Sequence, residues 1–363
     1  LKNENAVLPI EKAKTIALIG PMADDQDEHR GNWCGRGRGE DVISILQGME
    51  KEYKGKARIV HAEGCGFDGE DRSGFAEAVR VARSADVVVA CLGHEAGWSG
   101  ENHSRSTLEI PQIQEDLLAA LKATGKPVVV LTASGRPLEM REVDEHADAI
   151  LHIWHPGTCA GYAVAGLLSG RYNPSGKLAM TFPYTAGQIP IYYNQKSNPR
   201  PAKPGRKSFS RYSSNWIDSP MEPLYPFGYG LSYTTFEYSA PVLSDTLMVG
   251  RAPVKATVTV KNTGKYDGYE TVQLYIRDVV TPNYTRPVKE LKGFKKVFIK
   301  AGESVTVDFD ITPEMLSWYE VDQYNMSGSS KPLSAKLVLE PGDFMIMAGP
   351  NSRDTQAATL TVK

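Results

Sequence analysis

The densest run of chemistry-bearing side chains is one turn, Gly93-His94-Glu95-Ala96-Gly97-Trp98-Ser99-Gly100-Glu101-Asn102-His103-Ser104-Arg105. Two carboxylates, two imidazoles, an indole and a guanidinium stand there among small residues. A carboxyl group can give and retake a proton at a bond being broken, and an indole face is a platform for a sugar ring, so the composition suits a carbohydrate site. The competing reading is a solvated loop whose charges pair with one another. His94 and His103 make a weak metal pair without further ligands at a recognisable spacing, so no metal is expected.

Other patterns point away from rival chemistries. The run Gly35-Arg36-Gly37-Arg38-Gly39 lacks both dinucleotide and Walker spacing and does not directly follow a strand-like run, so no nucleotide cofactor is expected. Neither Ser99 nor Ser175 sits in a GxSxG elbow, which argues against an α/β hydrolase. The cysteines at 34, 65, 91 and 159 are too few and too scattered for a disulfide framework or a CxxC metal site. They are expected to pack as small buried hydrophobes.

Such a turn acts only if rigid elements hold it. It follows one of four short β-branched apolar runs, at 15–20, 85–90, 127–131 and 149–153, and runs of this kind suit strands buried on both faces of a parallel sheet. Helices are expected between them over 75–84, 110–124 and 161–169. The alternation reads as α/β over 1–182, with the turn at a strand end, where such folds place their sites. Residues 183–235 are rich in Pro and aromatics, and Tyr192, Tyr193, Trp216, Tyr225, Phe227 and Tyr229 need a surface to pack on. From 236 to 363 the pattern becomes period two, with expected strands at 254–260, 271–276, 296–299 and 304–309. That spacing indicates an all-β sandwich of fibronectin type III kind.

The 363 residues correspond to two or three domains at about 150 residues each. A net charge of −2 gives no basic field for nucleic acid. No apolar run approaches the ~20 residues of a membrane span. The opening Leu1-Lys2-Asn3-Glu4-Asn5 has neither an initiator Met nor a signal-peptide pattern, and the chain reads as the downstream part of something longer.

Several of these segments carry a resemblance. Gly31-Asn32-Trp33, Ser99-Gly100-Glu101 with Ser104-Arg105, Leu108 to Pro111, Trp154-His155-Pro156-Gly157, Asn173 to Leu178, Tyr225 to Tyr233 and Val288 to Phe294 agree in order and spacing with the C-terminal portion of glycoside hydrolase family 3. The branch resembled is that of bacterial periplasmic β-glucosidases and β-xylosidases. The resemblance implies a (β/α)8 barrel ahead of an α/β sandwich domain and a fibronectin-like domain. It implies a retaining mechanism, in which an Asp on the barrel attacks the anomeric carbon of a terminal β-glucosyl residue. A Glu on the second domain serves as general acid and then as general base.

By that resemblance Glu101 is the acid/base residue, with Glu95 its rival. Arg105, in Ser-Arg where relatives read Asp-Arg, contacts substrate or anchors the loop, and Trp98 stacks on substrate or plugs the crevice. Cys159 stands where relatives often carry Glu, and packing is its expected role. The partners implied are a β-linked oligosaccharide or glycoside and the barrel of the same protein, in the periplasm or outside the cell. The motif that holds the family nucleophile is absent, and a barrel needs about 250 residues that other folds already occupy. The 363 residues alone are therefore expected to hydrolyse nothing. Two readings remain beside β-glucosidase: a xylosidase or arabinosidase, and a non-catalytic carbohydrate-binding or structural module.

Overall fold

A computed structural model describes residues 1–198, 200–201, 212–281, 284–321 and 334–363. Its first half is a six-stranded sheet in the order β1-β6-β5-β4-β2-β3, built from β1 (Lys2–Asn3), β2 (Thr15–Ile19), β3 (Arg58–Ala62), β4 (Val87–Gly93), β5 (Val128–Ala133) and β6 (Ala149–His152). All are parallel except β1, which pairs antiparallel with β6. Every residue of β4 and β5 is buried. Alternation then decides which layer each side chain feeds: Val88, Ala90 and Leu92 join one apolar cluster, Val87, Val89 and Cys91 the other.

Helices α2 (Phe75–Arg83), α3 (Gln112–Lys122) and α4 (Arg141–His146) cover the first face through Val81, Leu117, Leu118, Leu121 and Val143. Helices α1 (Ile45–Glu52) and α5 (Ala160–Leu168) cover the second through Ile45, Met49, Val164 and Leu168. Ser44 starts α1 with a reciprocal cap, its Oγ accepting from the Gln47 amide at 3.2 Å while Gln47 Oε1 accepts from the Ser44 amide at 3.1 Å. Strands β1 and β3 and helices α1 and α4 lie outside the predicted set. β3 is an edge strand with a mixed burial pattern, so its sequence lacks the continuous apolar run of its neighbours.

The second half is the expected β-sandwich. One sheet joins β7 (Phe236–Tyr238), β8 (Val242–Leu243), β10 (Val254–Asn262) and β13 (Ser304–Ile311). The other joins β9 (Leu247–Met248), β11 (Gly268–Asp278), β12 (Glu290–Ile299), β16 (Gly342–Gly349) and β17 (Gln356–Val362). A short helix, α6 (Pro313–Leu316), and a hairpin of β14 (Trp318–Val321) and β15 (Ala335–Val338) complete it. Strand β10 alternates buried and accessible positions along nearly its whole length, the pattern of a sheet with one wet face.

The Pro- and Tyr-rich segment contacts both halves, Tyr225 Oη donating to Asp144 of α4 and Tyr229 Oη to the Leu1 carbonyl on one side. Tyr193 stacks on Phe227 with centroids 4.3 Å apart and meets Tyr275 of β11 edge-on at 5.8 Å. Gln273, also on β11, donates to the carbonyls of Gly228 at 3.0 Å and Pro350 at 2.6 Å. Lys177 and the buried Glu270 form an ion pair at 3.0 Å across the seam. Tyr192 and Trp216 stay 64% and 42% exposed. Residue 199 and residues 202–211 of this segment lie outside the described residues.

All four cysteines are free. Cys65 and Cys91 pack as expected, but Cys34 is only half-buried and Cys159 is exposed. Cys159 precedes α5, whose buried face begins at Ala160, so its side chain stays in the wet loop layer.

Helices α1 and α5 cross at backbone contact. A Cβ on Gly48 would sit 2.1 Å from the Gly161 carbonyl oxygen, and one on Gly161 would sit 1.9 Å from the Ser44 oxygen. Backbone cannot yield as a side chain tip does. Gly48→Ala and Gly161→Ala should each destabilise the chain by about 1–3 kcal/mol, read as a lower urea midpoint at unchanged m-value.

Candidate functional site

Parallel strands put their C-terminal ends on one edge. From β2 the chain moves outward to β3, then crosses back to β4 on the other side of β2 and continues to β5 and β6. The order reverses between β2 and β4, and there the connecting loops diverge to leave a crevice. The turn 94–105 leaves β4 at this point. Facing it are the loops after β2, β5 and β6, which carry His29, Arg136 and His155.

The base of the turn is buried and tied by hydrogen bonds. His94 is 1% exposed, with its Nε2 2.9 Å from the Glu109 carbonyl oxygen and its Nδ1 buried without a partner among the described residues. Burial pushes its pKa down to about 4, with Arg105, Arg136 and His155 adding to the effect, so the imidazole is neutral near pH 7. His29 and His155 are shifted down as well, chiefly by burial. The Ala96 amide is bonded to the Glu28 carboxylate of the β2 loop. Burial, and next the charges of Asp25 and Glu95, raise the Glu28 pKa against the lowering effect of that bond.

The tip projects from this base. Ser99 and Trp98 amides donate back to Ala96 and Glu95 at 3.1 Å each. Gly100 and His103 close a turn, His103 N to Gly100 O at 3.3 Å, with Asn102 at a positive φ of 64°. Glu101 is the second residue of that turn and is exposed. Its carboxylate has no hydrogen bond or ion pair with any described residue, and it is held by its backbone alone. Glu95 sits lower, where its charge is felt by Glu28.

Arg105 lies over the Trp98 ring, its guanidinium carbon 4.4 Å from the centroid, and His94 approaches the same indole at 5.2 Å. The structure thus brings Trp98, Arg105 and His94 into one packed unit. His94 and His103 have different backbone partners, Glu109 and Ser99 respectively. Among the described residues no group of three or more His, Cys, Asp or Glu is placed to hold a metal ion.

Residues 1–233 match the glycosyl hydrolase family 3 C-terminal domain, and residues 270–352 match a fibronectin type III-like domain. The chain belongs to glycosyl hydrolase family 3. Its relatives include the periplasmic beta-glucosidase of Salmonella typhimurium, 41% identical over 97% of this chain and 47% of that protein. A beta-xylosidase of Formosa agariphila is 36% identical over all of this chain and 48% of its own length. Among solved structures, a beta-glucosidase from Listeria innocua in complex with isofagomine superposes with a TM-score of 0.91 at 37% identity, covering 100% of this chain and 48% of that one. The chain spans about half the length of the curated relatives it matches.

In this family 3 chain two contributors to the site escape a reading of its sequence. Arg136 donates to two carbonyls of the turn, and Ser134 fixes the backbone of Arg136. The signal was present: Ser134-Gly135-Arg136 is a polar turn directly after a fully buried strand, the same context that marks 93–105.

Neutral His94 has a pH consequence. Between its ordinary value of 6.5 and about 4 the unfolded chain takes up a proton that the folded protein refuses, so stability falls as pH falls through that window. The loss is at most about 1.4 kcal/mol per pH unit. His94→Gln, which keeps a donor for the Glu109 carbonyl, should lose less stability than the parent between pH 6.5 and 4. Thermal denaturation of both proteins across that range measures the difference.

Proposed function

We propose that this chain is the acid/base-bearing C-terminal part of a retaining, exo-acting β-glucosidase, active when joined to a (β/α)8 barrel that carries the Asp nucleophile. The observation that carries the reading is the position of Glu101, an exposed carboxylate without a hydrogen-bond or ion-pair partner among the described residues, at the tip of the turn that leaves β4 at the switch point. A retaining glycosidase needs two carboxyl groups about 5–5.5 Å apart, one attacking carbon and one moving a proton. In this reading Glu101 protonates the glycosidic oxygen as the barrel Asp attacks the anomeric carbon and the leaving group departs. It then takes a proton from the water that releases the glycosyl group.

Supporting the substrate class, the similar proteins from Salmonella typhimurium and Listeria innocua are both named beta-glucosidases. The Formosa agariphila relative, named a beta-xylosidase, favours xylose as the second reading. Periplasmic or extracellular residence is proposed from the Salmonella relative's name, and no helix among the described residues is long and apolar enough to cross a membrane.

With the barrel present in cis, Glu101→Gln should lower turnover of aryl β-glucosides with poor leaving groups by about 10²- to 10⁴-fold. Dinitrophenyl glucosides, whose leaving group needs no proton, should be cleaved at a near-parental glycosylation rate, and Glu95→Gln should change neither. Azide should restore activity to Glu101→Ala. The 363-residue chain alone should give no turnover of nitrophenyl β-glucoside, and turnover by it would overturn the division of labour.

A further inference from the structure

We propose that Arg136, on the loop after β5, is the positioning residue of the acid/base turn: its guanidinium bridges the carbonyls of Trp98 and His103 and so fixes where Glu101 stands. The catalytic meaning of this contact rests on the reading of Glu101 given above; the contact itself does not.

Those two carbonyls lie three residues before Glu101 and two after it, so a single guanidinium nitrogen spans the tip. The His103 bond is 2.8 Å, and a cationic donor makes it stronger than an amide could. Arg136 makes no ion pair with a described carboxylate, its Nε is buried without a partner, and Arg105 is near enough for its charge to be felt. Two guanidiniums side by side repel, and this placement persists because carbonyl oxygens receive one while an indole face receives the other.

Arg136 is itself held from beneath. The buried Ser134 hydroxyl accepts from the Arg136 amide at 3.1 Å and donates to the Arg136 carbonyl at 2.8 Å. Between them Gly135 admits no side chain, since a Cβ there would stand 2.3 Å from Ser99 Oγ and 2.9 Å from His155 Nε2. The chain of support runs from strand β5 through Ser134 and Arg136 to the carbonyls beside Glu101. Because Glu101 has no side-chain partner of its own among the described residues, its position is set by the backbone that Arg136 grips.

Two measurements test this. In the 363-residue chain, hydrogen exchange of the Trp98, Ser99 and His103 amides should accelerate by about tenfold in Arg136→Gln, with Arg136→Lys intermediate and the amides of β4 and β5 unchanged. In the barrel-bearing enzyme, Arg136→Gln should lose about 100-fold on poor-leaving-group glucosides and little on dinitrophenyl glucosides, with Lys restoring part of the loss. General destabilisation would depress both substrates together. Unchanged exchange at the three amides, or equal losses on both substrates, overturns the proposal. If Glu101→Gln fails to separate the two substrate classes, the acid/base reading falls, and the exchange measurement still decides whether Arg136 holds the turn.

Discussion

Everything at the site depends on how the backbone leaves the sheet at the ends of β2 and β4. Gly20 has φ 124°, and a Cβ there would lie 2.2 Å from the Cys91 carbonyl oxygen; Gly93 has φ 150°, and its Cβ would lie 2.1 Å from the Ala133 oxygen. Both exits combine a backbone conformation open to glycine with a space closed to any side chain. Immediately beyond them, the Met22 amide donates to Cys91 at 3.2 Å and the His94 amide to Ala133 at 2.9 Å, so each departing chain is tied to the adjacent strand. Gln114 secures the second exit from α3, accepting from the Gly93 amide at 2.8 Å and donating to its carbonyl at 2.9 Å. The turn carrying Glu101 thus begins from a fixed point at the switch between strand directions, and its tip inherits that precision.

The electrostatics of the loop layer follow from the same crowding. Three imidazoles surround the base of the turn, His29 and His94 buried and His155 half-buried, and all three are shifted toward the neutral form, chiefly by burial. Neutral rings avoid adding charge beside Arg105 and Arg136. The cations are left to carbonyls and to the indole. An ion pair there would tie down the group proposed to move a proton, and among the described residues none forms.

The sequence was most informative where burial is complete. Strands β2, β4, β5 and β6 are legible because both faces are covered and their residues form unbroken apolar runs. β3, exposed along one edge, mixes Arg58 and His61 with Ile59 and Val60 and gives no such signal; α4 is short and largely charged. The turn 93–105 stands out by composition and position together. Arg136 does not, because its function lies in contacts to backbone carbonyls 33 and 38 residues away, and a carbonyl has no sequence identity. Cys159 shows the reverse error: a residue type that usually packs stands just outside the helix that would have buried it.

A chain of contacts links the fibronectin-like sandwich to the loop layer, and it passes through Trp154. Trp154, just beyond β6, has a positive φ of 51°, a conformation costly for a bulky side chain and kept only where surroundings enforce it. Its ring packs edge-on against His152 at 4.4 Å and Phe182 at 5.8 Å. Phe182 is bridged to Tyr225 of the aromatic segment by reciprocal backbone bonds of 2.9 and 3.3 Å, and that segment is in turn pinned to β11 by Gln273. The residue after Trp154 is His155, whose Nε2 lies 3.5 Å from Ser99 Oγ in the turn that carries Glu101. Trp154, at its positive φ, turns the chain from β6 into the loop layer. The rings that pack on it, His152 and Phe182, belong to the α/β half, and Phe182 in turn is bonded to Tyr225, so the segment joining the two halves is linked through Phe182 and Trp154 to the loop layer that carries the turn.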